Sequence, residues 1–337
     1  MKDRTRPRPI PNRHVRRRLA AGCAVFLLAL LTLQPQRYAA ACAESIALWA
    51  KIVLPALFPF LVLTALVTQT GMADSLGRKL APLLRRCGLP AAGAGAFFMS
   101  ILSGYPVGSR IVADLYSNGS LGRAEAERLS YLCSTSGPMF ILGSVGSAMF
   151  GDGKAGAILF ASHLFGVLSV FFLTKLFGRK GRPQTAAQPR PLPQRQTGSL
   201  GETVQKAVIS VLCVGGFIAL AGVLLCALED LHLLAPLCSL LQFPLRPFGA
   251  ENCAKGTVYG LIEATRGCAS LAAAGAIGLP FAAFTITFGG ASILAQQLAF
   301  LRPAGVRIGR FIAVKALQGC AAALFCLPLC NLTGAFS

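Results

Sequence analysis

The sequence predicts an all-α polytopic membrane protein of two related halves with discontinuous, re-entrant helices. Three observations predict it. The 337 residues are 54% hydrophobic and only 13% charged, with a mean hydropathy of +0.63, against a usual charged share of about 25%. Apolar stretches at 19–33, 46–67, 131–150, 155–177, 208–228 and 311–329 approach the roughly 20 residues that cross a bilayer. Several of them carry Gly, Pro and Ser breaks, above all Ser103-Gly104-Tyr105-Pro106-Val107-Gly108-Ser109-Arg110. At membrane depth such non-helical backbone is tolerated only where protein buries it or it lines a wet cavity.

The net charge of +20 (32 basic, 12 acidic) invites a nucleic-acid reading, but its distribution argues for a bilayer. Lys2, Arg4, Arg6, Arg8, Arg13, Arg16, Arg17 and Arg18 precede the first apolar run. Lys175, Arg179, Lys180, Arg182, Arg190, Arg195 and Lys206 surround the central polar gap. Basic clusters flanking spans place both segments in the cytoplasm and suit anionic headgroups, at about 1 kcal/mol per residue near the surface. Neither cluster has the interleaved aromatics that stack on bases, so no nucleic-acid partner is expected. The twelve cysteines are scattered without C-x-x-C spacing or nearby histidines, and read as small apolar packing residues.

Taken in order, 1–18 is a basic cytoplasmic tail and 19–177 the first membrane half. Its 19–33 run reads as a retained helix, although Ala39-Ala40-Ala41-Cys42-Ala43 imitates a signal-peptidase site. In 46–67, Trp49 and Lys51 suit an interfacial anchor, and Pro55 and Pro59 predict a kink or break. The polar 71–90 is placed inside. The Gly/Ala-rich 91–106 is short for a span and fits a re-entrant hairpin with its tip at Ser103-Gly104-Tyr105-Pro106. A short helix over 109–116 follows, then a charged turn or helix start at 122–128. The next span is broken at Ser134-Thr135-Ser136-Gly137-Pro138, and 155–177 is plainer, with His163 on its face. Residues 178–206 form a basic Pro/Gln-rich cytoplasmic linker, ending in a capping box at Ser199-Leu200-Gly201-Glu202. The second membrane half is 207–330, and 331–337 a tail. Pro236, Pro244 and Pro247 predict breaks in 231–248, and 277–292 ends in Phe288-Gly289-Gly290-Ala291-Ser292. Shifting the chain by 186 residues pairs Gly104 with Gly290 and Leu115 with Leu301. Gly-interrupted segments in two halves point to a transporter's solute site. In all, about seven to ten membrane segments are expected, re-entrant pieces included.

Four stretches in fixed order carry a family resemblance: Leu48-Trp49 through Val53-Leu54-Pro55-Ala56-Leu57-Phe58-Pro59-Phe60; Ser103 to Arg110; Thr135-Ser136-Gly137-Pro138; and Phe288-Gly289-Gly290-Ala291-Ser292 with Gln296. Gly260-Leu261-Ile262-Glu263-Ala264-Thr265-Arg266-Gly267 makes a fifth. On them the chain resembles the sporulation integral membrane proteins of spore-forming Firmicutes, which carry a nucleoside-recognition (Gate-type) domain. It departs from that pattern at Ser134, where Asn is usual, and at Arg110, where a Lys-like residue is usual. The resemblance implies an integral protein of the bacterial cell or forespore membrane. It also implies small-molecule transport related to nucleoside permeases, with dipicolinate the leading solute.

The candidate solute-binding residues are Ser103, Gly104, Tyr105, Pro106, Ser109, Arg110, Ser134, Thr135, Ser136, Gly137, Glu263, Gly289, Gly290, Ser292 and Gln296. Broken helices present free N–H groups and a positive dipole end to an anion. Arg110 either holds a carboxylate bidentately or pairs with Asp114 at i, i+4. Glu263 either couples a proton or another cation or pairs with Arg266; Gln296 and Gln297 either ligate solute or join helices. His163 is read as a structural hydrogen-bonding residue rather than a proton relay. The expected partners are a small solute, the bilayer and a coupling cation, with oligomerisation left open. No P-loop, H-E-x-x-H or G-x-S-x-G occurs, so no enzyme, cofactor or metal is expected. The competing reading is a non-transporting membrane scaffold for a sporulation complex.

Overall fold

The computed structural model describes residues 13–70, 92–177 and 199–332, with Ser75, Lys79 and Pro82. The tail before Arg13, nearly all of 71–91, the linker core 178–198 and the last five residues lie outside it. All regular structure among the described residues is helical. Five helical segments are long and apolar enough to cross a bilayer: Pro35–Val67, Gly153–Thr174, Leu200–Asp230, Gly275–Leu301 and Ile308–Leu332. The chain is a multi-pass integral membrane protein.

Helix α1 (Arg13–Leu33) ends at a bend on Gln34, and α2 (Pro35–Leu48) begins with Pro35, whose missing donor is harmless at a first turn. Residues 39–43 are helical within α2. A wide π turn, Trp49–Val53, leads into α3 (Leu54–Gln69). There the kink expected from Pro55 takes the form of that π turn just before it, while the helix runs on through Pro59. The apolar helical segment starts at Pro35 rather than 46, and the Trp49 indole packs against Gly215.

Helix α8 (Leu200–Asp230) runs antiparallel to α2 and α3. Gln69 Nε2 donates to Thr203 Oγ1 at 2.8 Å near one end, and Arg37 pairs with Asp230 at the other. Its buried Val211, Gly215, Ile218, Gly222 and Leu225 fall on one helical stripe, while Ile209, Leu212, Leu220 and Leu224 are exposed, as lipid requires. The helix begins at Leu200, seven residues before the predicted boundary at 207. Ser199 is its N-cap, accepting from Glu202 N at 3.2 Å, so the capping signal sits where the sequence put it. Helix α9 (Leu234–Leu245) is unbroken by Pro236 or Pro244. Pro236 stands in the first turn, where an N–H has no partner to lose, and Pro244 in the last.

Inside this frame one pattern occurs twice. Helices α4 (Ala92–Ser103) and α5 (Val107–Ser117) form a hairpin turning at Gly104. Helix α6 (Arg123–Cys133), an irregular Ser134–Gly137 stretch and a π helix (Phe140–Met149) form a broken helix, followed by the straight α7 (Gly153–Phe177). The second unit is the hairpin α10 (Cys253–Ile262) and α11 (Ala264–Ala272), turning at Glu263. Its broken helix, α12 (Leu279–Phe288) and α13 (Gly290–Leu301), parts at Gly289, and the straight α14 (Ile308–Leu332) closes the unit. The predicted shift of 186 sets a hairpin tip against a helix break and is corrected. A shift of 152 sets Gly137 opposite Gly289, and carries the broken helix 123–149 onto 275–301. The 186 register rested on Gly104 and Gly290, which do different jobs in the two units.

The straight helices α7 and α14 pack antiparallel, with Phe165 stacked on Phe325 at 3.9 Å and Gly166 against Ala322 and the Gln318 carbonyl. The two larger hydrophobic clusters draw on both halves: Val167, Val170 and Phe171 join Leu294, Phe311 and Val314, while Ile158 and Leu159 join Leu279, Ile286 and Cys326. Buried cysteines such as Cys133, Cys253 and Cys268 are free thiols within this packing.

Candidate functional site

Every break in a helix releases backbone donors and acceptors that must find partners away from water. Here the partners come from the neighbouring straight helices and the first hairpin, and they gather in one place. The break after α6 frees the Tyr131 carbonyl, which accepts from Gln318 Nε2 at 2.9 Å, and the Ser134 carbonyl, which accepts from Lys315 Nζ at 2.8 Å. It also frees the Ser136 N–H, which donates to His163 Nε2 at 3.1 Å, beside Thr135 Oγ1 at 2.6 Å from the same nitrogen. Since a backbone N–H can only donate, His163 Nε2 is an acceptor and the imidazole is neutral with its proton on Nδ1. That proton goes to Thr287 Oγ1, 2.9 Å away on the second broken helix. One histidine thus staples both breaks.

At the second break Gly289 and Gly290 adopt φ of +91° and +67°, a region open to glycine without strain. The Ile286 and Thr287 carbonyls at the end of α12 accept from Tyr105 Oη at 3.2 and 3.3 Å. Lys315 Nζ stands 3.3 Å from the same Oη and 5.4 Å from the Tyr105 ring centre. Ser109 donates to Gln297 Oε1 at 3.2 Å, and Ser134 Oγ bonds to that same oxygen. Gln297 Nε2, in contrast, is buried without a partner among the described residues.

The tips meet their own broken helices backbone to backbone. Gly104, at φ +67°, lies against the Gly137 backbone, so that even a methyl group would collide there. Gly290 lies against the Gly260 carbonyl and Ile262, and Gly260 faces Gly267 across the second hairpin.

Of the predicted site residues, Tyr105, Ser109, Ser134, Thr135 and Ser136 supply the side chains or backbone of this cluster. Gly104, Gly137, Gly289 and Gly290 make its turns and close approaches. Pro106, joined to Tyr105 by a cis peptide bond, opens α5, and Ser103 closes α4. Arg110 is exposed and forms no ion pair with Asp114. Adjacent helical residues point about 100° apart, so burying Ser109 turns Arg110 outward. For the same reason Gln297, not Gln296, enters the cluster; Gln296 and Ser292 are half-buried outside it. Glu263 is buried, but both its oxygens are used as a helix cap, accepting from Thr265 N at 2.9 Å and Arg266 N at 2.7 Å. The alternative ion pair with Arg266 does not form. That guanidinium reaches Glu44 at 2.7 Å and Ser45 at 3.1 Å, fastening the second hairpin to α2.

Sequence reasoning missed Lys315 and Gln318. Their spacing of three residues on one face of an otherwise apolar run was the available signal. Around the Arg266 fastening lies a cavity of about 420 Å³ lined by Arg37, Glu44, Glu229, Tyr259 and Arg266 among others. Outside the spans, Arg307 donates to Glu127 at 3.0 and 3.2 Å, and this carboxylate raises the guanidinium above its ordinary value.

Paired hairpins, broken helices and a buried polar centre define a polytopic membrane protein with discontinuous helices. Residues 50–172 match the family model described as nucleoside recognition (Gate). The chain is 29% identical over 334 residues to the sporulation integral membrane protein YlbJ of Bacillus subtilis (strain 168), an alignment covering 92% of this chain and 82% of that protein. No solved structure matches. The chain is thus similar to the Gate family over 50–172, and its similarity to the Bacillus subtilis protein extends over nearly its whole length.

Proposed function

We propose that the protein is a transporter or facilitator that moves a small anionic or nucleoside-like solute during sporulation, with dipicolinate as the leading candidate. The observation that carries this reading is the convergence of the first hairpin tip and both helix breaks on one buried polar cluster between α7 and α14. A scaffold has no need of irregular backbone at mid-depth, whereas a permease needs groups there that can be handed to a solute. The antiparallel straight helices support an inverted repeat, in which the two hairpins re-enter from opposite faces. The Gln69–Thr203 contact brings the ends of α3 and α8 that adjoin segments 71–91 and 178–198 to one side. The basic residues of both segments support a cytoplasmic assignment for that side.

The test is flux into liposomes containing the purified full chain, with labelled dipicolinate and labelled uridine as separate probes. Saturable uptake of one of them is expected. Absence of saturable uptake with either would leave the scaffold reading standing instead.

A further inference from the structure

Lys315 has no residue in the sequence motifs to answer it, yet it sits at the meeting point of the first hairpin and first break. Its residue is fully buried, about 10 Å along α14 from Ile308 at ~1.5 Å per residue. Both partners of Nζ are acceptors: the Ser134 carbonyl, and Tyr105 Oη, whose own proton is directed at the Ile286 and Thr287 carbonyls. Among the described residues no carboxylate is within ion-pair distance. Glu127 is held by Arg307 and Tyr131, and Glu263 by backbone N–H groups. The titratable groups facing Lys315 are Tyr105 on the hairpin and His163 on α7, the latter within electrostatic reach. Helix α12 offers none, and Tyr131 of α6 is bonded to Glu127.

A buried ammonium without an anion is strongly unfavourable, whereas a neutral amine has two N–H donors for these two acceptors and a free lone pair. Satisfying a freed carbonyl does not require a charge, because Gln318 does the same for Tyr131 with a neutral amide one turn away. A second group is also in waiting: Gln297 is fully buried, its Oε1 is shared by Ser109 and Ser134, and its Nε2 has no partner among the described residues. An ammonium N–H and an amide N–H together make the donor set that one carboxylate accepts.

We propose that Lys315 and Gln297 bind a carboxylate of the solute, and that Lys315 takes one proton onto its Nζ lone pair as the carboxylate arrives. The inference rests on the solute-site reading above and names both the charge the site takes and the ion that travels with it. The proton comes from water. The bound carboxylate and its proton together add no net charge to the site, and no metal cation is needed for coupling.

The experiment is calorimetric binding to the full chain in lipid nanodiscs, run in two buffers of different ionisation enthalpy. The probes are dipicolinate and its uncharged diamide. The expected result is binding of the acid but not the diamide, with about one proton taken up per carboxylate bound and affinity falling as pH rises. Lys315→Met should weaken acid binding by about tenfold or more and abolish proton uptake. Lys315→Arg, which cannot deprotonate, should still bind the acid without taking up a proton, and decides the matter if the Met variant fails to fold. Binding of the diamide as tight as the acid, acid binding without proton uptake in the wild type, or no acid binding at all overturns the proposal. Proton-linked binding without liposome flux would sink the transport reading alone. Flux untouched by Lys315→Met would sink the lysine assignment alone.

Discussion

At the scale of single residues, the two straight helices each contribute one side chain that reaches into broken backbone, His163 from α7 and Lys315 from α14. They are equivalent in the repeat, since the shift of 152 that superposes the breaks also carries 163 onto 315. His163→Phe would leave the Ser136 N–H unpaired in the interior and cost about 1–3 kcal/mol. His163→Gln, able to accept from Ser136, would cost less. Unfolding of the two variants in nanodiscs checks the order, and equal losses would contradict the stapling role. The breaks were legible because Ser, Gly and Pro cluster there against an apolar background. Lys315 was not, because a lone lysine seven residues into a helix reads as one whose ammonium snorkels to the interface. Burial is decided by which face meets α7, which no local pattern reveals. Arg110 failed in the opposite direction, for a charge beside a motif need not share its face.

At the scale of elements, the first hairpin was legible as a Gly-rich piece too short to cross, and its tip falls where the Ser-Gly-Tyr-Pro stretch placed it, whereas the second hairpin, turning at Glu263, was not predicted. What the sequence could not convey is that Gly104 has two separate reasons to be glycine. Gly119, at φ +78° with open space where a side chain would go, has only the backbone reason. Gly119→Ala should therefore cost only about 1–2 kcal/mol of left-handed strain. Gly104→Ala adds a collision with Gly137 and should lift the tip off its broken helix. Labelling of a cysteine introduced at Ser103 is the readout: faster in Gly104→Ala, unchanged in Gly119→Ala. Equal labelling in both would mean that the tip is not seated by the glycine pair.

At the scale of the molecule, the two-half organisation was visible through the linker, but the repeat register was not, because few identities survive and only the element order aligns. The proposed cytoplasmic assignment of 71–91 and 178–198 makes a direct prediction. In right-side-out vesicles, on a cysteine-free background, Gln188→Cys should resist an impermeant maleimide while Leu231→Cys reacts. Reaction at both positions, or only at 188, would reverse or refute the orientation.

The stacked Phe165–Phe325 axis gives each half a wall that belongs to the other, and the two larger apolar clusters are built across it. Neither half closes those two clusters on its own. A chain cut at the linker would leave two unfinished shells, each still looking for the surface it was shaped against. Assembly of this protein therefore waits on its last helix, and the nascent first half must stay in the membrane with one flank unclad until α14 arrives.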